Sequence, residues 1–318
     1  MLKLLLFLKR LIQKEFYSCN YIRHGINFTK DNRILVCCYT GSDEISLYNP
    51  KTDKNIFQSI KKNRKKIISQ LKKSCIPKCC QECVNLSKQN WSDTDKIESI
   101  TLNHYKVCNL RCTHCGYFKN KEKQGKDTDD KFVLDTIKML EAKNMTSSDY
   151  IVDIGGGEPS LNNKLDTTIA YFVANKHKIH INSNVARFKE NYIDGIQNGF
   201  IKLTLTPDAG SREVYQKIKG ADYFETVKEN LKKYMSLAAD KIEVKFILED
   251  GNLSDIDNMI NLCLECGVKN VVCSRDLNIN ECDFPKYKPY FRKFKTLCEQ
   301  NGLNLRYSLI PKEFFRKD

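Results

Sequence analysis

Cys108, Cys112 and Cys115 stand in the stretch Cys108-Asn109-Leu110-Arg111-Cys112-Thr113-His114-Cys115, just after an apolar segment. Three close thiolates are one donor short of the four that close an iron-sulfur or zinc site, so the spacing points to a metal site with one position left open. An open position is where a reactant binds. The structural alternative is a zinc site of Cys3His type using His114. It would put the neighbouring side chains of His114 and Cys115 on one ion at a strained bite, and the open iron-sulfur site is the better reading.

Downstream comes Gly155-Gly156-Gly157-Glu158-Pro159. Residues without a Cβ let the backbone approach a ligand closely and take positive φ. Together the triplet and this turn resemble the radical S-adenosylmethionine (SAM) superfamily, over roughly residues 96 to 318. The resemblance implies that Cys108, Cys112 and Cys115 hold a 4Fe-4S cluster whose fourth iron binds SAM through its amino and carboxylate groups. An electron from the cluster then splits the sulfonium into methionine and a 5'-deoxyadenosyl radical, while the protein orients the cofactor and excludes water. It also places Glu158, with the edge formed by Gly156 and Gly157, against the SAM ammonium, and implies a flavodoxin- or ferredoxin-type reductant. His114 stands where the family usually carries an aromatic residue, and an imidazole is also planar.

A second set of thiols lies upstream. Tyr21 to Phe28 and Arg33 to Tyr39 read as a hairpin turning at Thr29-Lys30-Asp31-Asn32, followed by a helix from about Ile56 to Lys73 and then Cys75-Ile76-Pro77-Lys78-Cys79-Cys80-Gln81-Glu82-Cys83. Cys19, Cys37, Cys38 and this run could converge on one metal, and four thiolates would compensate for the small core of such a module. The arrangement resembles the SPASM or twitch module of radical SAM enzymes, which holds an auxiliary 4Fe-4S cluster. By matching positions the resemblance implies Cys19, Cys37, Cys80 and Cys83 as ligands, with Cys38, Cys79 and Cys75 as near alternates. The module usually follows the radical core, and here it precedes it. A structural zinc knuckle is the other reading.

The elements that must position these groups follow from the apolar pattern. From Ile97 onward apolar segments alternate with amphipathic ones, as in repeated β/α units. Strands are predicted near Ser99-Asn103, Tyr150-Ile154, Lys178-Ser183, Ile201-Thr206, Lys241-Leu248 and Asn270-Cys273. Helices are predicted near Asp129-Lys143, Asn163-Asn175, Glu190-Gln197, Tyr223-Leu237, Leu253-Cys266 and Lys286-Gln300. The fold class is α/β: a partial (β/α)6 TIM-like barrel over 96–318, preceded by a small α+β cysteine-rich module over 1–95. Sites in such barrels gather at the carboxyl ends of the strands. There the chain offers Ser183 and Asn184, Thr206 and Asp208, and Arg275, all candidates for contacting SAM or substrate. The bland alternatives are an Asx or Ser turn for Ser183-Asn184, a helix cap for Asp208 and an exposed ion pair for Arg275-Asp276.

Composition bounds the rest. The chain has 318 residues, 41% of them hydrophobic, enough for a substantial core and too many for a disordered protein. Fifteen cysteines at metal-like spacings, without a recognisable export signal, point to a reducing compartment, the cytoplasm. A net charge of +14 invites a nucleic-acid partner, but lysines are spread over nearly every predicted helix. Even the dense run Lys61-Lys62-Asn63-Arg64-Lys65-Lys66 reads as the solvated face of a helix that buries Ile60, Ile67, Ile68 and Leu71. Residues 1–16 form a basic amphipathic stretch, too short in its apolar run to span a membrane, that packs on its own domain or rests on a membrane surface.

Three functional classes follow. The leading one is a radical SAM enzyme that abstracts hydrogen from a C-H bond of a peptide, protein or sugar, with an auxiliary cluster that binds substrate or accepts an electron. An electron-transfer or sensor protein needs neither the open triplet nor Gly156-Gly157-Glu158. A zinc-stabilised nucleic-acid binder is suggested by charge alone.

Overall fold

The computed structural model describes residues 15–37, 42–83, 85–91, 96–116, 127–276, 278–279 and 281–310. Cys38, Tyr39 and residues 1–14, to which the sequence assigns roles, lie outside them. Two compact units are present, one drawn from residues 1–104 and 125–153, the other from 105–124 and 154–318.

In the first unit, β1 (Phe16–Ser18) pairs antiparallel with β5 (Ser87–Gln89). The unit's other strands lie in the order β7-β6-β2-β3-β4: β2 (Gly25–Phe28), β3 (Ile34–Leu35), β4 (Ser46–Tyr48), β6 (Ile97–Leu102) and β7 (Thr146–Ile154). β2 is parallel to β6 and antiparallel to β3, and β3 is antiparallel to β4. The predicted hairpin therefore needs correcting. Asn20–His24 is a helix, and the strand begins only at Gly25, where a Cβ would lie 2.6 Å from the Tyr21 carbonyl oxygen. The absence of a side chain there lets the chain leave the helix directly into the sheet. The expected turn is present, with Asp31 and Asn32 at φ +57° and +54°, a conformation these two residue types tolerate.

The helix Ile56–Lys72 starts where Asn55 caps the Gln58 N–H at 3.0 Å. It buries Ile60, Ile67, Ile68 and Leu71, each worth about 1.5–3 kcal/mol, and exposes Lys61, Lys62, Lys65 and Lys66. Arg64 departs from the expected solvated face: it is 4% exposed and donates to the Gly25 carbonyl.

In the second unit, β8 (Lys178–Ser183), β9 (Ile201–Leu205), β10 (Ile242–Leu248), β11 (Asn270–Arg275) and β12 (Asn304–Ser308) lie in the order β12-β11-β10-β9-β8, every neighbour parallel. Val244 stands opposite Leu205 and Phe246 opposite Cys273. Period-two alternation thus makes one apolar face of Ile179, Ile181, Leu203, Leu205, Val244 and Phe246, all buried. Helices Leu165–Ala174, Ile193–Gln197, Phe224–Ala238, Ile256–Cys266 and Lys288–Gln300 fall between or after strands as the β/α pattern predicts. A helix at Arg212–Lys219 and the edge strand β12 were not expected. Each is short, with too few apolar residues to stand out from its flanks: Val214, Tyr215 and Ile218 in the helix, Leu305 and Tyr307 in the strand. No helix among the described residues is long and apolar enough to cross a membrane.

Candidate active site

The cysteine loop is held from below by a helix end. Arg111 N–H donates to Lys219 O at 2.8 Å and Thr113 N–H to Ile218 O at 2.9 Å, so the last carbonyls of Arg212–Lys219 are satisfied by the loop. Gly220, at φ +68°, ends that helix, and a Cβ there would lie 2.9 Å from Arg111 Cβ. The glycine turn grips the other side: Gly157 N–H donates to Tyr105 O at 2.7 Å and Glu158 N–H to Val107 O at 2.9 Å. A Cβ on Gly157 would sit 2.3 Å from Val107 O, so this approach to the residue before Cys108 requires glycine.

Glu158 is 3% exposed and ties three segments together. Its carboxylate accepts from Ser160 N–H at 3.0 Å, Ser183 Oγ at 2.8 Å and Asn184 N–H at 2.7 Å. A carboxylate has about four acceptor positions, so one is left over. Asn184 in turn donates through Nδ2 to Asn109 Oδ1 at 2.8 Å and lies 3.8 Å from Cys108 Sγ. Val185 follows at φ +68°, fully buried, its carbonyl accepting from Asn230 Nδ2. A β-branched residue is costly in that region, and here it directly follows the two residues that bind Glu158.

The three thiols of the triplet are free and within electrostatic reach of one another. Burial pushes Cys112 up to about 11, Lys219 opposes this, and Asp208, Cys115 and Cys108 add to it. Burial also raises Cys108, against the Leu110 N–H and Asn184, while Glu158 and Cys115 raise it further. Crowded thiols that ionise with difficulty need a strongly bound cation to become thiolates. Among the described residues no three His, Cys, Asp or Glu side chains converge as ligands of a single metal ion.

Below the triplet lies a buried charged pair. Asp208, fully buried and at φ +56°, accepts from Lys219 Nζ and, at 2.8 Å, from Ile247 N–H. Burial alone would raise its carboxyl, but Lys219 and His114 hold it below the usual range. Lys219 also donates to Thr206 O at 2.7 Å, and Thr206 Oγ1 donates to Ser183 O. His114 lies 3.6 Å from Asp208 and shares a 2.8 Å hydrogen bond with Glu249, which also accepts from Thr113 Oγ1 at 2.7 Å.

The second unit therefore brings Cys108, Glu158, Ser183 and Asn184 into one network and Cys112, Thr206 and Asp208 into another. Arg275, at the end of β11 opposite Leu248, has its guanidinium 4.9 Å from the Phe284 ring centroid. Lys219, Glu249 and Asn109 were not among the predicted site residues. Glu249 was within reach of the strand-end rule, since it follows β10 directly.

In the first unit, Cys19 senses the charges of Cys37 and Cys83, and Cys80 those of Cys79, Cys19 and Cys83; burial raises both thiols most. Pro77 opens the turn that carries Cys80, whose carbonyl accepts from Cys83 N–H at 3.2 Å. Cys75 is exposed. Cys263, Cys266, Cys273 and Cys298 are buried at 4% exposure or less.

The family model of the Radical SAM superfamily matches residues 102–263. The chain is 23% identical over 178 residues to a probable GTP 3',8-cyclase of Sulfurisphaera tokodaii, covering 53% of this chain and 52% of that protein. It is 24% identical over 174 residues to a probable GTP 3',8-cyclase of Methanococcus maripaludis, covering 54% and 57%. The chain spans about half the length of the curated relatives it matches. Among solved structures, Streptococcus suis SuiB bound to S-adenosylmethionine superposes with a TM-score of 0.55 at 15% identity, over 83% of this chain and 58% of that one. Native anSMEcpe with bound AdoMet gives 0.52 at 14% identity, over 65% and 64%. At these identities the likeness shows the fold.

Proposed function

The chain belongs to the radical SAM superfamily, and from that premise we propose that it cleaves SAM reductively and removes a hydrogen atom from a C-H bond of a peptide, protein or sugar. The observation that carries this reading is Glu158, which binds the glycine turn to the end of β8 and, through Asn184, to the cysteine loop. A protein that only stored electrons would need no such frame beside the triplet. When bound, the 4Fe-4S cluster and SAM supply the electron and the 5'-deoxyadenosyl radical.

The chain's own residues do the rest. Cys108, Cys112 and Cys115 would ligate three irons; the backbone of Gly156 and Gly157 would leave room for SAM. Glu158 has an acceptor position left for an ammonium. Thr206 and Asp208, candidates for contacting SAM or substrate, also hold the loop in place through their hydrogen bonds to Lys219 and Ser183. In the N-terminal part, mutual coupling of Cys19, Cys37, Cys80 and Cys83 supports a second 4Fe-4S cluster, with a flavodoxin- or ferredoxin-type reductant feeding the first.

The names of the curated relatives favour a second substrate class, a purine nucleotide. Anaerobically reconstituted protein with dithionite and SAM tests both readings. It should form 5'-deoxyadenosine, and Cys112→Ala should form none; product from that variant excludes the triplet. Deuterium transferred into 5'-deoxyadenosine from labelled GTP or from a labelled peptide separates the substrates.

A further inference from the structure

The part-exposed face of the second unit's sheet carries His180, Lys202, Glu243, Lys245 and Arg306 at alternate positions on β8, β9, β10 and β12. Its charges can be accounted for one by one. Lys202 pairs with Glu243 at 3.0 Å, and Arg306 reaches both oxygens of the same carboxylate, at 3.1 and 2.8 Å. Lys178, at the start of β8, donates to Gly199 O at 3.0 Å, and His180 shares a 2.9 Å hydrogen bond with Thr204. Lys245 makes neither a hydrogen bond nor an ion pair among the described residues.

Its position bears on the chemistry. Lys245 lies two residues before Ile247, whose N–H donates to Asp208, and stands opposite Val272 of β11. Four cations, Lys178, Lys202, Lys245 and Arg306, share this face with the carboxylate of Glu243 among the described residues. The face is positive, and the Lys245 ammonium is part-buried without an ion-pair partner among the described residues. Burial depresses Lys245, Asp208 opposes this, and Arg306 and Lys219 add to it.

We infer that Lys245 is the recognition residue for an anionic group, a phosphate or carboxylate of the substrate, seated on this sheet face, on the strand whose Ile247 N–H holds Asp208. The inference rests on the reading of the second unit as the site of radical chemistry, and it narrows the substrate to molecules carrying such a group. Both a nucleotide phosphate and an acidic peptide side chain supply that chemistry.

The test is calorimetric titration of reconstituted, SAM-loaded protein with GTP, inorganic tripolyphosphate and a glutamate-rich hexapeptide. The wild type should bind at least one of them about tenfold more tightly than Lys245→Met, with Lys245→Arg recovering part of the loss. Binding of the phosphate compounds assigns a nucleotide source and binding of the peptide an acidic one. If no probe binds the wild type more tightly than Lys245→Met, the inference is overturned, because the other surface lysines are present in both. Wild-type 5'-deoxyadenosine formation is read separately, so a failure of the radical SAM proposal is distinguishable from a failure of this one.

Discussion

Asp208 and Lys219 show how much of the site depends on single side chains. Both are essentially excluded from water, so removing either leaves a buried charge without its counterion. Asp208→Asn should cost roughly 3–5 kcal/mol in denaturant unfolding, and Asp208→Leu combined with Lys219→Met should cost less than either single change. Because the Asp208 pKa is depressed, its contribution is present above about pH 4 and disappears as pH falls through the folded value. The Lys219 pKa is raised, so its contribution is complete below its ordinary 10.5 and is lost only at higher pH. Between those limits the pair should give a pH-independent contribution. Gly157 is the opposite kind of residue, valuable for what it lacks. Gly157→Ala must displace the backbone at Val107, which should cost about 1–3 kcal/mol and weaken SAM binding measured at equilibrium.

Among the elements, Arg212–Lys219 matters beyond its length. Its final carbonyls receive two N–H groups of the cysteine loop, and Gly220 permits that contact through its left-handed conformation. Gly220→Val should cost about 1–2 kcal/mol for the backbone alone, and its side chain would also meet Arg111 Cβ. Iron retained at the triplet should fall with it, as read by electron paramagnetic resonance of the reduced protein. Gly267 is a control: it too ends a helix at positive φ, but a Cβ there meets nothing within 4 Å. Gly267→Ala should lower stability slightly and leave iron content unchanged.

At the scale of the whole molecule, thiols of each unit couple among themselves, which predicts separable iron occupancy. Wild-type protein should hold about eight irons if both groups bind four-iron clusters, and Cys83→Ala about four. That variant should retain SAM cleavage without substrate and lose substrate turnover. Loss of all cleavage, with the first cluster intact, would contradict an auxiliary role for Cys83.

How much could be read without coordinates differs sharply between features. The triplet, the Gly156-Gly157-Glu158 turn and the β/α alternation were legible because ligand spacing is local and because apolar residues repeat with the period of the element they form. The helix Asn20–His24, the helix Arg212–Lys219 and β12 were not, since each is so short that two or three apolar residues must carry its period. Only the tertiary structure could show Asp208 neutralised by Lys219, Glu158 shared among three donors, and Lys245 without a hydrogen bond or ion pair among the described residues. Those are properties of pairing across strands distant in sequence. A sequence specifies which residues carry charge, whereas burial and the approach of a partner decide what the charge can do.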